Sequence, residues 1–88
     1  MEYYITSRQA ESEDGTNRRF QYFLLVEQVD SGNFQCENYG VRIAEEGVAS
    51  SEMPGLTTSA VRIDQLMTML VDNAVGPVGL EDVIRDWL

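Results

Sequence analysis

The sequence predicts an α+β fold: a three-stranded antiparallel β-meander followed by two C-terminal α-helices packed on one face, in the order β-β-β-α-α. Three observations predict it. Apolar residues alternate with a period of two through the first half of the chain. Two glycine-bearing turns, EDGT and DSGN, interrupt that half. After Thr58 the period lengthens to the i, i+3, i+4, i+7 stripe of an amphipathic helix.

Residues 2–9 (EYYITSRQ) alternate and carry Tyr, Ile and Thr, which suits a strand. Simple alternation points Tyr3 and Ile5 one way and Tyr4 and Thr6 the other. Asp14-Gly15 then signals a hairpin, because glycine accepts the positive φ of a tight turn. Residues 18–29 (RRFQYFLLVEQV) form the strongest strand, with Phe20, Tyr22, Leu24 and Val26 on one face and Phe23, Leu25 and Val29 on the other. A strand apolar on both faces is usually central and covered on both sides. A turn at 30–33 leads into a third strand over residues 36–45, where Tyr39, Val41 and Ile43 share a face and Gly40 marks a bulge or a close backbone approach. Residues 46–55 (EGVASSEMPG) read as a loop with a short extended piece near Val48.

Thr58 or Ser59 can cap a helix whose apolar positions are Ala60, Ile63, Leu66, Met67, Leu70, Val71 and Ala74. Val61 and Met69 fall off that stripe. Gly76 and Pro77 end the segment, and a second helix starts near Gly79 with Glu81 and Asp82 in its first turn, where acids suit the helix dipole. Leu80, Val83, Ile84, Trp87 and Leu88 form its apolar stripe. A helix of about ten residues is marginal alone in water, so this one must dock to exist. Trp87 is its natural anchor.

The 88 residues allow one domain spanning 1–88, with one core and little room for a deep pocket. Apolar residues are 43% and charged residues 24%, which is globular rather than disordered. Fifteen acids face six basic residues, all Arg, for a formal charge of −9. Such a chain is repelled by nucleic acid and by anionic membrane surfaces, so neither is an expected partner. The single cysteine, Cys36, permits no internal disulfide and fits a reducing compartment. Residues 1–9 have neither a basic start nor an apolar core, so no signal peptide is read there. A soluble, cytoplasmic protein is the expectation.

Catalytic groups are sparse. With no His and no Lys, neither imidazole acid–base chemistry nor a lysine Schiff base can be built. Cys36 has no His to activate it and reads as a small, partly buried hydrophobe. The remaining carboxylates (Glu45 and Glu46, Asp64, Asp72, Glu81 and Asp82) read as solvated faces or helix caps. Asp64 and Asp72 lie two turns apart, about 12 Å along the helix and too far to share a metal. Glycines are scattered with no phosphate-cradling spacing, and zinc has no ligand set. Arg18 and Arg19 read as charge balance for the acids of the neighbouring turn. No enzyme, no cofactor and no metal are expected.

The runs YGVRIAEEG at 39–47 and PGLTTSAVRIDQLMTMLVDNAVGPVGLEDVIRDWL at 54–88 resemble a small bacterial family known as a domain of unknown function, found in clostridia and other Firmicutes. The resemblance extends through the first two strands. Its most specific parts are TTS before the first helix and the ending VGPV-x-LEDV-x-x-WL, which are caps, a turn and a docking pattern. It implies a bacterial cytoplasmic source and carries no activity or site residues.

With no catalytic set, the expected role is a small protein-interaction or regulatory module, its partner another protein or a second copy of the chain. The sheet face opposite the helices, around Phe23 and Leu25, is the expected contact surface, with Met69 as a further candidate. An acidic mimic that meets a basic protein surface is the first alternative. A carboxylate-based, metal-dependent enzyme or small anion binder is the second.

Overall fold

The computed structural model describes residues 1–88, apart from the side chain of Ser31. Four strands follow one another as β1 (Glu2–Glu11), β2 (Asn17–Ser31), β3 (Phe34–Glu45) and β4 (Ala49–Thr57), and form one antiparallel sheet in the order β1-β2-β3-β4. The helices α1 (Ala60–Asp72) and α2 (Leu80–Trp87) come after them, joined through a 3-10 turn at Pro77–Gly79. The architecture is therefore α+β, but the three-stranded sheet is overturned. The expected loop at 46–55 contains a turn and then most of a fourth strand.

The reason is Pro54 and Gly55. Proline has no N–H to give a ladder and is confined to edge strands and bulges, and β4 is both an edge and bulged. Its register against β3 slips between Tyr39↔Thr57 and Val41↔Met53, so the Pro-Gly pair lies in the slip. Gly40 faces this bulge. A Cβ there would stand 2.3 Å from the Met53 carbonyl oxygen and 2.6 Å from Pro54 Cα, so only glycine fits.

The first hairpin turns at Gly15, whose φ of +81° is unfavourable for residues with a Cβ. Asp14 Oδ1 accepts from the Thr16 N–H at 3.0 Å and from the Ser12 hydroxyl. The second hairpin turns through Gly32-Asn33, and from there the β2–β3 register runs unbroken to Phe20↔Glu45. A bulge interrupts β1 between Tyr4 and Thr6: Tyr4 lies opposite Phe23 but Thr6 opposite Tyr22. Tyr4 and Thr6 thus face opposite sides of the sheet, against the simple alternation.

Ser59 caps α1, its hydroxyl accepting from the Arg62 N–H at 3.2 Å. Ile63, Leu66, Met67 and Leu70 are buried from α1, and Leu80 and Ile84 from α2. They pack on Phe20, Tyr22, Val41 and Ile43 of the sheet. Tyr22 is fully buried, and its hydroxyl donates to the Val75 carbonyl at 2.9 Å, pinning the end of α1 to the sheet. Ala60 stays exposed and Ala74 lies past the helix at φ 49°, so neither joins the core stripe. Trp87 is half-buried under the Arg62 guanidinium, which stacks 4.4 Å from its ring centroid.

The molecule is long, with extents of 54 × 24 × 17 Å. Its radius of gyration of 14.0 Å exceeds the roughly 12 Å of a compact domain this size. The excess comes from the β2–β3 hairpin. Its pairing continues from Glu27↔Asn38 to Ser31↔Phe34, after β1 has ended at Glu2↔Leu25 and β4 at Tyr39↔Thr57. That last stretch is a two-stranded ribbon standing free of the domain.

Candidate interaction surface

Opposite residues of an antiparallel pair share a face, so the register assigns both sides of the sheet. The pairs Phe20↔Glu45, Tyr22↔Ile43 and Leu24↔Val41 face the helices. The pairs Phe23↔Arg42 and Leu25↔Gly40 face away, joined by Tyr4 and Glu2 of β1. Phe23 and Leu25 are therefore on the open side, both half-buried. Met69 is not with them. It lies on α1, half-buried against the core on the other side of the sheet.

Phe23 sits at the centre of a small, ordered cluster. The Arg42 guanidinium stacks over its ring at 4.1 Å, and the Tyr4 ring meets it edge-on at 5.7 Å and 70°. Arg42 in turn grips the Glu2 carboxylate with Nε and one terminal nitrogen, and donates to Ser50 Oγ at 3.1 Å. All four strands thus contribute to one cation-capped aromatic patch. Farther along β2, Arg19 reaches the Ser7 hydroxyl at 3.1 Å.

The alternation continues without a break into the ribbon. Val29, Cys36 and Phe34 are on the same side as Phe23 and Leu25, beyond the polar pair Glu27↔Asn38. Phe34 is 76% exposed and Val29 37%. Cys36 is exposed as well, not the partly buried residue expected from the sequence. The reverse side carries Gln28↔Glu37 and Asp30↔Gln35. The ribbon is amphipathic: apolar beneath, acidic behind, with no helix on either side.

At the other end of the sheet the charges are committed to structure. Arg18 grips Glu45 through two bonds of 2.7 and 2.6 Å, which holds the carboxyl of the buried Glu45 below its usual range. The partner of Arg18 is therefore this cross-sheet acid, not the acids of the neighbouring turn. Hydrogen bonds from Ser12 and Thr16 lower the Asp14 pKa to about 2. Between these turns lies a depression of about 860 Å³ with charged walls, including Asp14, Arg18, Arg19, Glu45 and Glu46. Burial raises the Tyr22 phenol, keeping it a neutral donor to Val75. Among the described residues, no three Cys, Asp or Glu side chains gather where they could hold a metal ion, and no helix is long and apolar enough to cross a membrane.

A family model described as a family of unknown function, DUF6514, matches residues 1–88. The chain belongs to that family. No curated protein and no solved structure matches it. What sets this DUF6514 chain apart from a plain meander with two helices is the ribbon, and Val29, Cys36 and Phe34 were not singled out together by sequence reasoning. The signal was available: counting outward from the Gly32-Asn33 turn gives the register that puts Phe34 and Phe23 on one side.

Proposed function

We propose that this protein is a small, non-enzymatic interaction module whose contact surface is the open sheet face together with the β2–β3 ribbon. One observation carries the reading. Two apolar patches lie on one side of the sheet, Tyr4, Phe23 and Leu25 and then, beyond the polar pair Glu27↔Asn38, Val29, Cys36 and Phe34, and nothing in the fold covers the second. Two-stranded ribbons are marginal in water, and exposed apolar tracks rimmed by polar groups are characteristic of docking surfaces. The surrounding charges favour a basic partner: residues 27–38 hold Glu27, Asp30 and Glu37 and no basic residue. The partner is accordingly a protein with an apolar ridge flanked by Lys or Arg. A lone, exposed Cys36 suits a reducing bacterial cytoplasm as the setting.

The test is comparative capture from lysate with wild-type chain and with Phe34→Asp, at low and high salt, with circular dichroism to verify folding. The expected result is a stoichiometric partner recovered by wild type, weakened by salt and lost from the variant. Recovery of the same proteins by both would remove the ribbon from the interaction. Binding insensitive to salt would leave only the apolar part of the surface.

A further inference from the structure

The two edges of the sheet are built differently. The outer edge of β4 is blunted by Pro54, which has no N–H to offer an added strand and lies in the bulge between Met53 and Thr57. The outer edge of β1 is 10 residues long and, although bulged between Tyr4 and Thr6, contains no proline. Its first half bears Tyr3, Tyr4 and Ile5, exposed at 45, 56 and 45%. No strand pairs along it, and the helices lie more over β3 and β4 than over β1. Such an edge presents a row of unpaired N–H and C=O groups.

We propose that β1 is a dimer seam, and that its occupant is β1 of a second copy, paired antiparallel about a two-fold axis between Ile5 and Thr6. This surface is separate from the open face and the ribbon, and the inference does not rest on their role. Three observations select a second copy. The first is register. Because the bulge lies between Tyr4 and Thr6, the open-face residues of β1 are Glu2, Tyr4, Ser7 and Gln9, and those facing the helices are Tyr3, Thr6, Arg8 and Ala10. Pairing about that axis puts Tyr4 opposite Ser7, Tyr3 opposite Arg8 and Glu2 opposite Gln9 of the other copy. Every such pair shares a face, as antiparallel partners must. Moving the sum of paired residue numbers by one puts open-face residues opposite helix-facing ones, so the seam is self-complementary in this register.

The second observation is charge. The chain carries −9, so two copies repel almost everywhere. Along β1 the repulsion is reduced: Arg8 offsets one of the acids Glu2 and Glu11, and Glu2 is already held by Arg42. Arg8 has no ion-pair partner among the described residues, and the seam gives it the Tyr3 ring across the axis, a cation–π pair made twice. The third observation is closure. Joining two β1 edges makes an eight-stranded sheet whose remaining edges are both the blunted β4, so assembly stops at two copies. The antiparallel seam sends the two ribbons out at opposite ends and leaves both open faces on one side.

A seam one strand wide belongs to the small end of interface sizes, so a dissociation constant around micromolar is expected. Sedimentation velocity on the full chain, across micromolar concentrations, reads the monomer–dimer equilibrium. Ile5→Lys puts like charges near the axis and is expected to weaken association about tenfold or more, with circular dichroism unchanged. Register is read with Tyr4→Cys and Ser7→Cys in a Cys36→Ser background. Those positions are too far apart in one strand to bridge, but meet across the seam, so mild oxidation is expected to give a covalent dimer. Phe34→Asp is expected to leave the dimer intact, which keeps failure of the ribbon reading distinct from failure of this one. A chain that stays monomeric throughout overturns the proposal. So does a dimer that neither responds to Ile5→Lys nor crosslinks, since its seam would lie elsewhere.

Discussion

The strand β2 runs through two different environments, and its two halves make the most useful comparison in the molecule. From Phe20 to Leu24 its helix-facing side chains lie under α1, α2 and the 3-10 turn, and Phe20 and Tyr22 are buried. From Glu27 to Ser31 it has one partner strand and no helix, and Val29 and Phe34 reach solvent. The alternation of side chains is the same in both. Two things differ: α1 and α2 together are too short to cover a 15-residue strand, and the apolar residues of the ribbon, Val29 and Phe34, lie on the side of the sheet that the helices cover nowhere. An apolar alternation in a strand therefore says which side chains share a face. Whether that face becomes core depends on elements elsewhere in the chain.

Stability should accordingly reside in the covered half. Leu70→Ala removes a fully buried side chain at the helix–sheet contact and is expected to cost about 2–5 kcal/mol. That is a large share of the roughly 4–13 kcal/mol available to a domain this size. Phe34→Ala, in the ribbon, is expected to change stability by less than about 0.5 kcal/mol. Paired thermal melts check this, and a ribbon variant as destabilising as the core variant would mean that the ribbon packs on something. Gly40→Ala comes next, since its Cβ must enter the Met53 carbonyl. Overpacking of this kind costs about 1–3 kcal/mol, and the loss should appear as a lowered midpoint in urea. Tyr22→Phe is smaller, about 1 kcal/mol, because it deletes one hydrogen bond to the Val75 carbonyl while keeping the ring. Tyr4→Phe, at the uncovered face, is the matched control and should melt as wild type does.

The comparison also explains which parts of the fold were legible in the sequence. The alternation of β2 and β3 and the helical stripes of α1 and α2 could be read directly, because burial on one side leaves a strong pattern. The fourth strand could not. Residues 49–57 (ASSEMPGLT) carry a Pro-Gly pair that normally punctuates a loop, and only the tertiary bulge opposite Gly40 lets an edge strand absorb it. The β1 bulge was hidden for a similar reason: one extra residue, Ile5, reverses the faces on either side of it, and nothing in EYYITSRQ marks where. Of the open sheet face, Phe23 and Leu25 were accessible from alternation alone. The cap of Arg42 over Phe23 and its grip on Glu2 needed the register of three strands. Met69, a further candidate for lying off the α1 stripe, packs on the core side of the sheet and so does not share a face with Phe23 and Leu25.

Acid offers the gentlest way to separate the two regions. At the covered end, hydrogen bonds from Ser12 and Thr16 lower the Asp14 pKa from 3.8 to about 2, and the Arg18 guanidinium lowers that of Glu45 from 4.5. A carboxyl whose folded pKa lies below its unfolded value binds its proton more readily when the chain unfolds. Its contribution is therefore fully present above the unfolded pKa and lost as pH falls through the folded one. For Asp14 the loss spans about pH 4 to pH 2, and for Glu45 it begins as pH falls below its ordinary 4.5. Both groups are at turns that close the covered half, β1–β2 and β3–β4 respectively. Asp14→Asn is expected to flatten the acid limb of a stability-against-pH curve between about pH 4 and pH 2, while Phe34→Ala in the ribbon, which neither adds nor removes a titrating group, should leave its shape as in wild type. Urea midpoints measured at intervals from neutral pH downward check both. If Phe34→Ala changed the limb as much as Asp14→Asn, the ribbon would be coupled to the core, and the division of the sheet into a covered and a free half would fail.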